Sequence, residues 1–210
     1  MSYFVTGTDT GVGKTRFSCL LIEALRAERR DVVGYKPVCS GDRDDAVLLA
    51  NASGGLELDS VNPVWLKASV APLVAGMLEN RPVDPGVLLE GYRRLAAEHE
   101  MVIVEGAGGW RVPIAEGYDI ADLAADLKLP VILVVGNRLG ALNHTVLTVD
   151  AIRARGLEIA GLIINQLVDE LDTAAITNKG IIEQLTGVPI LAEIIHGQDF
   201  LDLDPFLPER

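Results

Sequence analysis

The sequence predicts a single α/β domain, 1–210, built on a doubly wound, mostly parallel sheet, and three observations carry that expectation. Short apolar runs recur along the chain: YFV (3–5), VVGY (32–35), MVIV (101–104), VILVV (131–135) and IAGLII (159–164). Such β-branched or aromatic-rich runs suit strands buried on both faces. Stretches of helical period lie between them, and strands alternating with helices indicate βαβ units around a parallel sheet. Polar residues and glycines also follow each run, and in open parallel sheets ligands bind outside the carboxyl ends of the strands.

The first run leads directly into TGTDTGVGKT (6–15). A strict phosphate loop reads Gly, four residues, then Gly-Lys-Ser/Thr. Gly13, Lys14 and Thr15 match its end, but the leading position falls on Thr8 and Gly7 stands one place early. In such a loop, backbone N–H groups and the following helix N-terminus cradle phosphates. Lys14 then reaches the β- and γ-phosphates and the Thr15 hydroxyl binds magnesium. The helix that must follow is present as a shared apolar face of Phe17, Leu20, Leu21, Ala24 and Leu25.

VVGY is followed by Lys36, and lysines are rare at buried strand ends unless paired with an anion. A salt-bridged lysine and a catalytic one, stabilising negative charge where it develops, both fit. In GDRDDAVLL (41–49), Asp45 opens a helix-like run, as a capping or first-turn acid or as a magnesium ligand. MVIV ends in Glu105-Gly106; an acid on so buried a strand is costly without a cation, which makes Glu105 a second magnesium candidate. Trp110 reads as a core aromatic or a lid residue. VILVV is followed by Gly136-Asn137 and IAGLII by Asn165. Val146, Val149 and Ile152, then Ile176, Ile181 and Leu185, predict two further amphipathic helices.

Composition narrows the function classes. With 49% hydrophobic and 23% charged residues the chain is globular in type, not disordered. A formal charge of −12 disfavours nucleic acid and anionic membrane as partners, so any nucleotide depends on a few placed cations. No charged-then-apolar leader and no run of about 20 apolar residues is present, which points to the cytoplasm. Cys19 and Cys39 lack metal-ligand spacing and read as small buried or loop thiols. His99, His144 and His196 are scattered and read as surface or local hydrogen-bonding groups.

Six segments together resemble one family. TGTDTGVGKT, GYKPVCSG (34–41), VNPVW (61–65), VIVEGAGGW (102–110), PVILVVGNRLGALNHTVLT (130–148) and LIINQL (162–167) occur in the order and approximate spacing of dethiobiotin synthetase. The likeness extends to about residue 195, and the early-glycine loop belongs to that family. The resemblance implies a P-loop NTPase-like homodimer that uses ATP and magnesium. Its substrates would be 7,8-diaminononanoate and carbon dioxide, closed to the cyclic urea dethiobiotin through a carbamate and a carbamic-phosphoric anhydride. It further implies catalytic roles for Lys36 and Lys14, phosphate contacts from Gly11, Val12, Gly13, Lys14, Thr15 and Arg16, and magnesium on Thr15, Asp45 and Glu105. Glu105, Gly106, Ala107 and Gly108 would line the nucleotide site, with Asn165 and Gln166 at the base. Thr10, Lys36 and Ser40 would meet the diamine end, and Leu139, Gly140, Ala141, Leu142 and Asn143 of the second subunit its carboxylate.

Three departures stand out: Gly11 where some relatives carry an acid, Ala71-Pro72-Leu73 for Ser-Pro-His, and no proline near Ile195 beside the expected base edge, 195–197. Partitioning ATPases of the ParA/MinD type place a lysine where Asp9 stands here, the wrong charge for that role. A cobyrinate-type ligase would need a glutaminase domain for which 210 residues leave no room, and a small-molecule kinase would release a phosphorylated product.

Overall fold

The computed structural model describes residues 2–170 and 172–206. Its centre is a six-stranded sheet of β1 (Tyr3–Gly7), β2 (Val32–Tyr35), β5 (Met101–Glu105), β8 (Val131–Asn137), β9 (Ile159–Gln166) and β10 (Ile190–Ile194). The spatial order is β10-β9-β8-β1-β5-β2, and every neighbouring pair is parallel. All five predicted strands are therefore present. The sixth, β10, is an edge strand of mostly half-buried residues and has no continuous apolar run to announce it. Two small ribbons flank the sheet: β3 (Val38–Ser40) with β4 (Val64–Leu66), and β6 (Pro113–Ala115) with β7 (Tyr118–Asp119).

Strand alternation divides the core in two. Phe4, Val33, Val102, Val104, Leu133 and Ile164 face one layer; Val5, Val32, Ile103, Ile132 and Ile163 face the other. The second layer is covered by α1 (Lys14–Ala27) and α2 (Asp44–Ala52), through Phe17, Leu21, Leu25 and Leu49. Against the first pack α5 (Pro85–Glu98), α6 (Ile120–Leu127), α7 (Ala141–Ala154) and α8 (Thr173–Thr186). Helices on both faces of a parallel sheet are the doubly wound arrangement expected from the sequence. The short α3 (Leu58–Val61) and α4 (Pro72–Leu78) complete the order. Because β1 lies between β5 and β8, the chain leaves its carboxyl end at the point where the connections diverge, and there the glycine loop lies.

One helix face is corrected. Ile176, Ile181 and Leu185 do not point into the core; they are exposed, and α8 buries Ala175, Asn178, Ile182 and Thr186 instead. The reason is a buried amide network. Asn178 Nδ2 donates to Asn137 Oδ1 at 2.9 Å and to the Arg138 carbonyl at 3.1 Å, while Asn137 Nδ2 donates to the Ala175 carbonyl at 3.0 Å. Small and polar residues thus occupy the inward face, and apolar periodicity alone selects the wrong side. Trp110 is a core residue, edge-on to Phe4 with centroids 6.4 Å apart.

Candidate active site

The loop between β1 and α1 turns through two left-handed glycines, Gly11 at φ 71° and Gly13 at φ 94°. Gly13 is also required by contact: a Cβ there would stand 3.0 Å from Asn165 Cγ and closer still to its Nδ2. Asn165, at the carboxyl end of β9, donates from that nitrogen to the Val12 carbonyl at 2.9 Å and so pins the loop. Its Oδ1 is buried without a hydrogen-bond partner among the described residues.

Four side chains from four segments of the chain meet beside the loop. Thr15, in the first turn of α1, sets its hydroxyl 2.7 Å from Asp45 Oδ1 and 2.8 Å from Glu105 Oε1, donating to one of them at a time. Lys36, after β2, donates to Asp45 Oδ2 at 2.7 Å, Glu105 Oε1 at 2.6 Å and the Gly106 carbonyl at 3.3 Å. Lys36 is 3% exposed, Glu105 fully buried and Asp45 46% exposed. Asp45 stands in the first turn of α2, so helix start and site position coincide in one residue.

Burial acts to lower the Lys36 pKa, but Glu105 and Asp45 outweigh it and raise the value above that of ordinary lysine. Burial likewise pushes Asp45 up, while Lys36 and the hydroxyl of Thr15 bring it below the usual carboxylate value. Among the described residues Lys14 has no such close acid; its ammonium donates to the Asp9 carbonyl at 3.2 Å. Burial, then the charge of Lys36, lower its pKa to about 8, against partial opposition from Glu105, Asp45 and Asp9. A triphosphate would supply the negative charge this lysine lacks.

A magnesium ion fits the donor set. Thr15, Asp45 and Glu105 offer hard oxygens at one point, and Glu105 Oε2 is buried without a partner. Among the described residues no group of three His, Cys, Asp or Glu could hold a metal alone. The fit is thus to a cation that takes one or two carboxylates and completes its shell with phosphate oxygens and water.

A cavity of about 690 Å³ opens over these groups. Thr10, Gly11, Gly13, Lys14, Thr15, Lys36, Ser40, Asp45, Ala107 and Gly108 line it, ten positions expected from the sequence. Val12, Glu105 and Gly106 stand behind its wall. Ser69, Val70, Ala71 and Pro72 close the opposite side, and Ala71 and Pro72 belong to the stretch that departs from the family's Ser-Pro-His. Cys39 is buried along the same wall, its thiol pushed up by burial to about 11.

Other expected residues lie elsewhere. The Arg16 side chain leaves the cavity and donates to the carbonyls of Ile195 at 3.1 Å and Gln198 at 2.8 Å, leaving its backbone N–H as the group nearest the loop. Gln166 Nε2 donates to Glu193 Oε1 at 3.0 Å. Leu139 to Asn143 form the loop and first turn at the start of α7, and none lines this cavity. His99 pairs with Asp31 and His196 with Asp169, while His144 lies exposed on α7. Asp9, flagged in the sequence only for its charge, pairs with Arg138 at 3.0 Å.

A phosphate loop with its lysine, a hydroxyl and two carboxylates, set at the carboxyl ends of parallel strands, defines a P-loop nucleotide-binding protein. A family model described as an AAA domain matches residues 1–199. Solved structures with the same fold include MinD complexed with Mg-ADP from Pyrococcus horikoshii (TM-score 0.60, 19% identity, 93% of this chain and 82% of that one). A ParA family ATPase from Chlorobium tepidum is similar (TM-score 0.56, 16% identity, 94% and 85%). At such identities the likeness concerns fold alone. The sequence relatives are much nearer. ATP-dependent dethiobiotin synthetase BioD of Akkermansia muciniphila is 52% identical over 207 residues, covering 98% of this chain and 97% of the relative. The enzyme of the same name from Bacillus subtilis (strain 168) is 44% identical over 195 residues, covering 90% and 84%. The chain belongs to the ATP-dependent dethiobiotin synthetase family and is an ATP-dependent ligase.

Proposed function

We propose that this ligase forms dethiobiotin from 7,8-diaminononanoate, carbon dioxide and ATP, releasing ADP and phosphate. The observation that carries the reading is the convergence of Lys36, Thr15, Asp45 and Glu105 on one wall of a cavity that also receives Lys14. Two lysines at one centre suit a reaction whose carbamate, triphosphate and mixed anhydride are all anionic.

In the first step one amine nitrogen bonds to the carbon of carbon dioxide and loses a proton, giving a carbamate. A carbamate oxygen then attacks the γ-phosphorus and ADP departs. The second amine attacks the carbonyl carbon of the anhydride, the ring closes and phosphate leaves. Lys36, held charged by its acidic neighbours, would neutralise the carbamate oxygen as it approaches the phosphorus. Lys14 and the N–H groups of residues 11–16 would hold the triphosphate, while Thr10 and Ser40 would orient the diamine. Thr15, Asp45 and Glu105 would hold magnesium, which when bound draws charge from the transferring phosphoryl group.

The buried Asn165 Oδ1 is an acceptor suited to the adenine amino group, with Gln166 beside it. The start of α7 offers N–H groups at Leu142 and Asn143 that have no partner among the described residues, and an exposed Asn143 side chain, suited to a carboxylate. Those groups lie outside this chain's own cavity, which supports their service to a second copy in a homodimer. The packed pair α7 and α8 exposes Leu147, Ile176, Ile181 and Leu185, apolar surface suited to such an interface. Among the described residues no helix is long and apolar enough to cross a membrane, and a cytoplasmic site of action is part of the proposal.

Bicarbonate labelled with heavy oxygen tests the chemistry, read before exchange with water. One labelled oxygen is expected in the released phosphate, carried over from the carbamate. Dethiobiotin formed with unlabelled phosphate would contradict phosphorylation of the carbamate.

A further inference from the structure

Arg16 follows the loop threonine in a position where a cation invites assignment to phosphate, yet its guanidinium turns away from the cavity. It reaches across 179 positions of sequence to the Ile195 carbonyl and across 182 to that of Gln198. These acceptors belong to the loop that leaves β10. The same loop is closed on itself: Gln198 N donates to the Ile195 carbonyl at 3.2 Å, and Ile195 N to Gln198 Oε1 at 3.2 Å. Gln198 Nε2 extends the brace to the Phe200 carbonyl at 2.6 Å. Farther along, Phe206 packs at a tilt against Phe17 of α1 with centroids 5.9 Å apart, and Leu201 is buried in the same cluster.

Sheet register locates this loop. Ile194 is paired with Asn165, so the loop starts one residue beyond the strand position beside Asn165, whose Oδ1 has no partner among the described residues, and the Ile195 side chain is half exposed. Asn165 in turn grips the phosphate loop through the Val12 carbonyl. Loop and base edge are therefore tied at two points, once through Asn165 and once through Arg16.

We propose that Arg16 is a positioning residue for the nucleoside half of ATP, not a phosphate ligand. By fastening the 195–198 loop to the first turn of α1, it fixes the edge beside the base before nucleotide arrives. The inference deepens the assignment of this cavity to ATP and rests on it. A binding-competent loop populated only fractionally weakens apparent affinity by that fraction. Two hydrogen bonds from a charged donor hold the loop, so their loss should reduce competent population and ATP affinity about tenfold.

The test compares ATP with inorganic tripolyphosphate, which has the phosphates but no base or ribose, by calorimetry with magnesium on the full chain. Arg16→Leu is expected to bind ATP about tenfold more weakly and tripolyphosphate unchanged, with Arg16→Lys recovering part of the loss. Gln198→Ala, which loosens the loop from its far side, should show the same selective loss and covers the case in which Arg16→Leu fails to fold. Equal weakening of both ligands by Arg16→Leu, or unchanged ATP affinity in the folded variants, would overturn the proposal. Failure of the unsubstituted protein to bind ATP at all would instead overturn the assignment of the site.

Discussion

Replacing Lys36 by methionine keeps most of the side-chain volume and removes one charge from the most buried part of the site. The ammonium has three acceptors, two of them carboxylates within 2.7 Å. Deleting one partner of a buried ion pair costs about 3–5 kcal/mol, chiefly because the other charge is left without compensation. Asp45 is 46% exposed and recovers water, so the cost rests on the fully buried Glu105 and about 2–3 kcal/mol should remain. For a chain of 210 residues, 1 kcal/mol corresponds to about 2–4 °C, so the expected fall in Tm is about 4–12 °C with native circular dichroism retained. Turnover should fall by at least about a hundredfold, the usual effect of removing a group aimed at developing charge. Magnesium should restore more of the lost Tm in the variant than it adds to the parent, because it satisfies the same carboxylates. A Tm within about 1 °C of the parent would refute the buried-pair argument. Turnover within about threefold would refute a role for Lys36 in the chemistry.

Gly13→Ala combines a left-handed φ of 94° with a collision against Asn165, so ATP binding by calorimetry should be lost, whereas Gly55→Ala, at a similar φ with open space around it, should leave it intact. Lys14 binds its proton less tightly in the folded chain, at about 8 against 10.5, so between those values the unfolded chain holds more protons and nucleotide-free stability rises with pH. The rise is limited to about 3 kcal/mol, and thermal melts from pH 7.5 to 10.5 should show it in the parent and lose it in Lys14→Met. Asp45 shifts stability in the same direction but in the acid range: its depressed pKa contributes stability above the ordinary carboxylate value, lost as pH falls through the folded value. Acid melts below about pH 4 should therefore be flatter in Asp45→Asn, which should also need more magnesium for half-maximal turnover.

What could be read from the sequence was what short-range pattern determines. Strands buried on both faces leave continuous apolar runs, and a phosphate loop leaves a fixed spacing, so β1, α1 and Gly13 to Thr15 were all legible. Lys36 and Glu105 were visible as charges at strand ends where charge needs a reason. Their pairing with each other was not, because β2 and β5 become neighbours only once the sheet is ordered. For Asp45 the two readings left open, first-turn acid and magnesium ligand, do not exclude each other, since it stands in the first turn of α2 and also meets Thr15 at the cavity. The inward face of α8 was misread because Asn178 donates to Asn137 there and Asn137 to the Ala175 carbonyl, and a buried amide network gives no apolar signal. The bonds of Arg16 to residues 195 and 198 depend on how the chain returns after β10, which no local pattern records. Of the wall at Ser69 to Pro72, only Ala71 and Pro72 were marked in the sequence, as a departure from the family motif, while Ser69 and Val70 were hidden for the same reason.

The central claim is that the charges on this cavity serve ring closure. Incubating the protein with 7,8-diaminononanoate, ATP, magnesium and carbon-labelled bicarbonate tests it most directly. Label should enter an acid-stable cyclic urea, with phosphate released in equal amount and only when the diamine is present. Diamine-independent ATP hydrolysis with no labelled urea would contradict the account.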